Sequence, residues 1–243
     1  MIALTKTVRE IALEQHSSIR VFERLGIDYC CGGRKPLAEA CVARDLDVDE
    51  VLAALESAAN SNTASQIDWA QAPLGRLIEH IVATHHSYVK RELPRLAVLA
   101  QKVVNRHGDT QAHLPAMQKA LAQLDEELIH HLGKEEHVLF PYIARLEAAV
   151  VSGSAPPDAC FGAVANPIAM MTHEHDAAGA LLAEIRRLSD NFTTPAGACP
   201  TYHAYYDGLQ EFEQDLHQHI HLENNILFPR AIDLESSVVG ATV

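Results

Sequence analysis

One pattern occurs twice in this chain. Residues 131–141 read HLGKEEHVLFP and residues 219–229 read HIHLENNILFP, so both are His-x3-Glu-x3-Leu-Phe-Pro. Each copy has a further histidine upstream at nearly constant distance. His86 stands 45 residues before His131, and His175 stands 44 before His219. A spacing of four places the His and the Glu one turn apart on a single helix face. The repeat predicts two copies of one helix pair, each contributing a histidine from its first helix and a His-x3-Glu from its second.

The surrounding sequence supports helices of that length. Apolar residues recur at three and four positions over roughly 73–105, 112–150, 167–190 and 200–234. The turn-rich stretches VSGSAPPDACFGAVANP and NFTTPAGACP mark two of the connections. Alternating strand patterns are absent. The fold class read from this is all-α, an antiparallel four-helix bundle.

On each helix the selected histidine falls in the apolar seam. The first seam runs Val82, His86, Val89, Leu93, and the second Leu128, His131, Glu135, Val138, Tyr142. The third is Met171, His175, Ala178, and the fourth Leu216, His219, Glu223, Ile226. His85 neighbours His86 but lies on a line that turns polar at Glu92, so His86 is preferred. His130, His137, His173, His217 and His221 fall off the seams and read as mostly solvated.

Six ionisable groups aimed at one core need a partner or a metal, because a buried charge left alone is very costly. Structural zinc takes four ligands, often thiolates. Six nitrogen and oxygen donors, two of them carboxylates able to bridge, suit two irons or manganese better, and the imidazole-rich supply favours iron. Two non-haem irons, carboxylate-bridged and oxo- or hydroxo-bridged, would each keep one position open for a small molecule.

Ahead of the bundle, residues 1–60 read as a small helical domain. Gly26 is a plausible helix stop, Pro36 can open the next helix, and Asp47 with Glu50 three residues on forms an N-terminal cap. Residues 61–72 read as a linker and residues 73–243 as the bundle. The small domain carries Cys30 and Cys31 side by side in IDYCCGG. Adjacent cysteines bond to each other poorly, and two following glycines allow an exposed, flexible turn. The pair reads as reactive thiols, with packing of the turn as the bland alternative. Cys41 sits on an apolar helix face, while Cys160 and Cys199 fall in loops and receive no role.

The net charge of −13 disfavours nucleic acid and anionic membrane as partners. No apolar run is long enough to span a bilayer. An odd number of irregularly spaced cysteines argues against a secreted disulfide framework, and the chain reads as cytoplasmic.

Taken together, TVREIA…FERLGIDYCCGG, ATHHSYVKRELPRL, DEELIHHLGKEEHVLFP, THEHDAAG and HLENNILFP resemble the RIC proteins, the repair-of-iron-centres family. The resemblance covers both the small module with paired cysteines and a haemerythrin-like bundle. It implies iron ligands at His86, His131, Glu135, His175, His219 and Glu223, with Glu135 and Glu223 bridging, and a working cysteine pair at Cys30 and Cys31. Gly179 stands four residues after His175, where oxygen-carrying haemerythrins place another histidine, which weakens an oxygen-carrier reading. The implied function is repair of iron–sulfur clusters damaged by nitric oxide or oxidants, by iron donation from a labile site. The partners are damaged iron–sulfur proteins, with nitric oxide or O2 as small ligands and a homodimer left open. The alternatives are reduction of nitric oxide to N2O with electrons from Cys30 and Cys31, and simple NO or O2 binding.

Overall fold

A computed structural model describes residues 2–30, 32–61 and 67–239. Every named element among the described residues is a helix, as the periodicity requires, and Thr7 and Pro36 add one isolated β-bridge. They form two compact units, residues 1–73 with 217–229, and residues 74–216 with 230–243.

The first unit contains α1 (Val8–Glu14), α2 (Ser18–Leu25), α3 (Leu37–Val42) and α4 (Val48–Ser61). Short helices of this kind depend on their ends. Thr7 and Glu10 make a capping box at the start of α1. Gly26 ends α2 at φ +66°, a left-handed conformation that glycine adopts without steric cost. The Asp47 carboxylate accepts from the amides of Asp49 (2.8 Å) and Glu50 (3.3 Å) at the start of α4. The core of this unit is Val8, Ile11, Phe22, Tyr29, Leu37, Cys41 and Leu55, all buried.

The second unit holds α5 (Leu74–Ile81), α6 (Ser87–His107), α7 (His113–Lys134), α8 (Phe140–Ser152) and α9 (Ala165–Leu188). It also holds most of α10 (Pro200–Leu222) and of α11 (Phe228–Val239). Helix α7 packs against both α6 and α9, and α5 packs against α8. Three joints between these helices are single π turns: Val82–His86, Glu135–Leu139 and Glu223–Leu227. The expected long helices therefore run continuously from α5 to α6, α7 to α8 and α10 to α11, with one wide turn in each.

The π turn inserts one residue into the seam and moves the apolar line forward. Val138, expected in the core, is 44% exposed, and Leu139 takes its place at 1%. In the first helix Val82 is half-buried and Ile81 is fully buried. From Ile81 to His86 the step is five residues, one more than an α-helix seam allows, and both His85 and His86 become buried.

The sequence repeat extends into the helix ends. Glu147 on α8 accepts from the amides of Leu74 (2.6 Å) and Gly75 (2.8 Å), which start α5. Glu235 on α11 accepts from the amide of Val164 (2.9 Å), which starts α9, and from the Tyr142 hydroxyl (2.6 Å). Each glutamate lies twelve residues beyond the repeat Glu of its own copy. A carboxylate at a helix N-terminus satisfies orphan amides and meets the positive end of the helix dipole.

Candidate metal centre

The π turns carry three of the six seam donors. His86 closes the first, Glu135 opens the second and Glu223 opens the third. His131, His175 and His219 lie on regular α-helix. All six are buried.

Their donor atoms fall into two groups. His86, Glu135, His219 and Glu223 offer four atoms within 4.8 Å of one another, and so do His131, Glu135, His175 and Glu223. Glu135 and Glu223 belong to both groups. His86 Nε2 lies 3.5 Å and His131 Nε2 3.4 Å from Glu135 Oε2. His175 Nε2 is 2.9 Å from His131 Nε2, and His219 Nε2 is 2.9 Å from Glu223 Oε1.

This donor chemistry fits a metal. Both oxygens of Glu135 are buried and accept no hydrogen bond from the described residues. A carboxylate held that way is very costly unless a cation completes it. Two imidazole nitrogens facing each other at 2.9 Å point the same way, since a shared proton or a metal must sit between them.

Outside the donors lies a layer that sets their tautomers. His86 Nδ1 meets Glu136 Oε1 at 2.7 Å, and the Lys90 ammonium donates to both oxygens of Glu136 at 2.7 Å. His131 Nδ1 meets Glu174 Oε2 at 2.8 Å, and the Lys134 ammonium donates to Glu174. Each carboxylate accepts a hydrogen bond from the protonated Nδ1 and so leaves Nε2 with the free lone pair, an arrangement common behind metal-bound histidines. Burial pushes Glu136 upward, but the bonds from Lys90 and His86 outweigh it and hold the carboxyl below its ordinary range. The same balance, with Lys134 and His131, lowers Glu174. Phe140 of the first Leu-Phe-Pro stacks on the His86 ring, with centroids 5.5 Å apart and planes at 25°.

The neighbour His85 is directed elsewhere, with its Nδ1 3.0 Å from Asp215 Oδ1. His86, and not His85, stands in a candidate donor group.

The cysteine turn differs from the expected open loop. Cys30 is only 5% exposed. Its amide donates to Asp28 Oδ1 (2.9 Å) and its sulfur lies 3.3 Å from the same oxygen. Cys31 lies outside the described residues. Tyr29 is buried between Phe22 and the edges of His217 and His221. Its hydroxyl donates to Glu23 Oε1 (2.5 Å), and burial together with Glu23 pushes the phenol far above its usual value.

His221 corrects the sequence reading, because it is buried rather than solvated. Burial, then His16 and Arg9, pushes it down to about 3. Its Nδ1 meets the Asn225 side-chain amide at 2.8 Å. Sequence reasoning also missed Glu136, Glu174, Lys90 and Lys134. The only available signal was that each glutamate directly neighbours a seam donor.

Among the described residues no helix is long and apolar enough to cross a membrane. The hemerythrin HHE cation binding domain matches residues 77–231, and ScdA_N, a domain of unknown function, matches residues 4–59. The iron-sulfur cluster repair protein YtfE of Escherichia coli O81 (strain ED1a) is 39% identical over 223 residues, which is 92% of this chain and 94% of that protein. Proteins of the same name from Escherichia coli O127:H6 and Escherichia fergusonii match to the same extent. A family match over more than half the chain, with relatives this similar along nearly all of it, places the chain in the hemerythrin-like repair-of-iron-centres (RIC) family.

Proposed function

We propose that this chain is a di-iron protein that repairs damaged iron–sulfur clusters by giving up iron held at the buried His/Glu centre. The observation that carries this reading is the sharing of Glu135 and Glu223 by both donor groups. Two carboxylates common to two four-donor sets are what a pair of bridged irons requires. The name of the E. coli relatives, iron-sulfur cluster repair protein, supports the same activity here.

His86 and His219 complete one iron site, and His131 and His175 the other. Iron is the cargo, and the protein sets how firmly it is held. Glu136 and Glu174 accept from Nδ1–H of His86 and His131 and hold the proton on that nitrogen, so their Nε2 atoms stay in the binding form. Metal ligands bind deprotonated. A proton arriving on Glu135 or Glu223 would therefore weaken both sites at once, which suits release of iron to an acceptor. The thiols of Cys30 and Cys31 are assigned to the same transfer, as acceptors of the leaving iron or as a source of electrons.

The test is iron content together with repair. Glu135→Gln and Glu223→Gln are loaded with ferrous iron, assayed for iron per chain, and given a nitric-oxide-damaged cluster enzyme. The reading expects iron content and recovered enzyme activity to fall together. Full repair by a variant holding no iron would overturn it.

A further inference from the structure

A second thiol site lies apart from the iron donors. Cys199 is half-buried, and its sulfur is 3.4 Å from Nε2 of His107. The two come from opposite ends of different helices. His107 is the last residue of α6. The carbonyl of Cys199 accepts from the amides of Tyr202 (2.9 Å) and His203 (3.2 Å), which makes Cys199 the cap residue of α10.

The imidazole is held in place. Its ring lies edge-on to Tyr202, centroids 5.5 Å apart at 69°. Tyr202 is itself fixed, with its buried hydroxyl 3.1 Å from His113 Nε2 and 3.2 Å from the Tyr206 hydroxyl. A nucleophile within reach of a base, with the base oriented by a third group, is the arrangement that activates thiols.

We propose that Cys199 is a peroxide-oxidisable thiol, activated by His107 as proton acceptor. The thiol proton passes to His107 Nε2 and the sulfur attacks one oxygen of hydrogen peroxide. The O–O bond breaks and an S–O bond forms. The leaving hydroxide takes the proton from His107 and departs as water. Sulfur is oxidised by two electrons to a sulfenic acid, and the peroxide is reduced by the same two. Such a product is reversible by a second thiol. The site uses no residue of the iron centre, so it stands or falls independently of the function proposed above.

Cys160 of the same chain, exposed and in a loop, is the internal reference. Metal-loaded full-length protein is treated with limiting iodoacetamide, and each cysteine is followed by peptide mass spectrometry. Cys199 is expected to react at least about tenfold faster than the more exposed Cys160, a conservative value for a positioned proton acceptor. In His107→Gln, Cys199 should slow to the Cys160 rate or below, while Cys160 itself stays unchanged. In wild type, one equivalent of hydrogen peroxide with dimedone should label Cys199 ahead of Cys160, and Cys199→Ser should lose that label. The alkylation arm uses no oxidant, so iron chemistry with peroxide does not enter it. Cys199 reacting no faster than Cys160 in wild type overturns the proposal, whatever the folding of the variant. An unchanged ratio in folded His107→Gln removes His107 from it.

Discussion

The side-chain amide of Asn225 donates to the main-chain carbonyl of Tyr29 at 3.3 Å. Tyr29 precedes Cys30, and Asn225 stands two residues past Glu223. One hydrogen bond therefore ties the cysteine turn to the π turn that carries Glu223, a member of both candidate donor groups. The same Asn225 also meets His221, whose ring packs on Tyr29.

Replacing Asn225 by Ala removes a buried partner from both Tyr29 and His221. A lost partner of this kind costs about 1–3 kcal/mol. Thermal melting should show a lower midpoint with iron content retained, and alkylation of Cys30 should accelerate several-fold as the turn loosens. An unchanged Cys30 rate would mean that the bond does not restrain the turn.

Glu135 and Glu136 are adjacent but do different things. Glu135→Gln should abolish stable binding of both irons, since its oxygens belong to both donor groups. Glu136→Gln only disturbs the support of His86 and should weaken iron affinity by about 10–100-fold. Competition with a ferrous chelator gives the order. Equal losses in the two variants would contradict the assignment.

Without metal, the Glu135 carboxylate is a liability. Metal-free Glu135→Leu is expected to melt above metal-free wild type, by the equivalent of about 1–4 kcal/mol, because an apolar side chain replaces a buried charge lacking hydrogen bonds. Adding ferrous iron should reverse the order, since only wild type gains binding energy. A variant less stable than wild type in both states would show that Glu135 is satisfied without a metal.

Glu136 and Glu174 are both held below the ordinary carboxylate value. A group whose folded value is depressed contributes stability above its unfolded pKa, about 4.3 for Glu. That contribution disappears as pH falls through the lower folded value. The stability gap between wild type and the Glu136→Gln, Glu174→Gln double variant should be level above about pH 5 and close below about pH 4. Denaturant unfolding at a series of pH values measures it. A gap that widens in acid would reverse the sign and refute the coupling to Lys90 and Lys134.

What the sequence determined by itself was the repeat and its consequence. His-x3-Glu places two donors on one helix face, and the upstream histidine spacing places a third and its copy. Those patterns are local and periodic, so His86, His131, Glu135, His175, His219 and Glu223 could be selected before any contact was known. The preference for His86 over His85 came from the same periodicity.

The tertiary structure decided the rest. A regular 3.6-residue period cannot announce a π turn, because the extra residue is tolerated only where surrounding packing and site contacts offset its poorer backbone geometry. That is why Val138 was misplaced and Leu139 overlooked. The partners Glu136, Glu174, Lys90 and Lys134 depend on which helices lie side by side, as does the pairing of Cys199 with His107 across 92 residues. Burial of Cys30 and His221 goes with a contact between segments far apart in the chain, Tyr29 and Asn225 meeting across 196 residues. Contacts between distant segments follow from packing a whole core at once, and no short window of sequence contains that information.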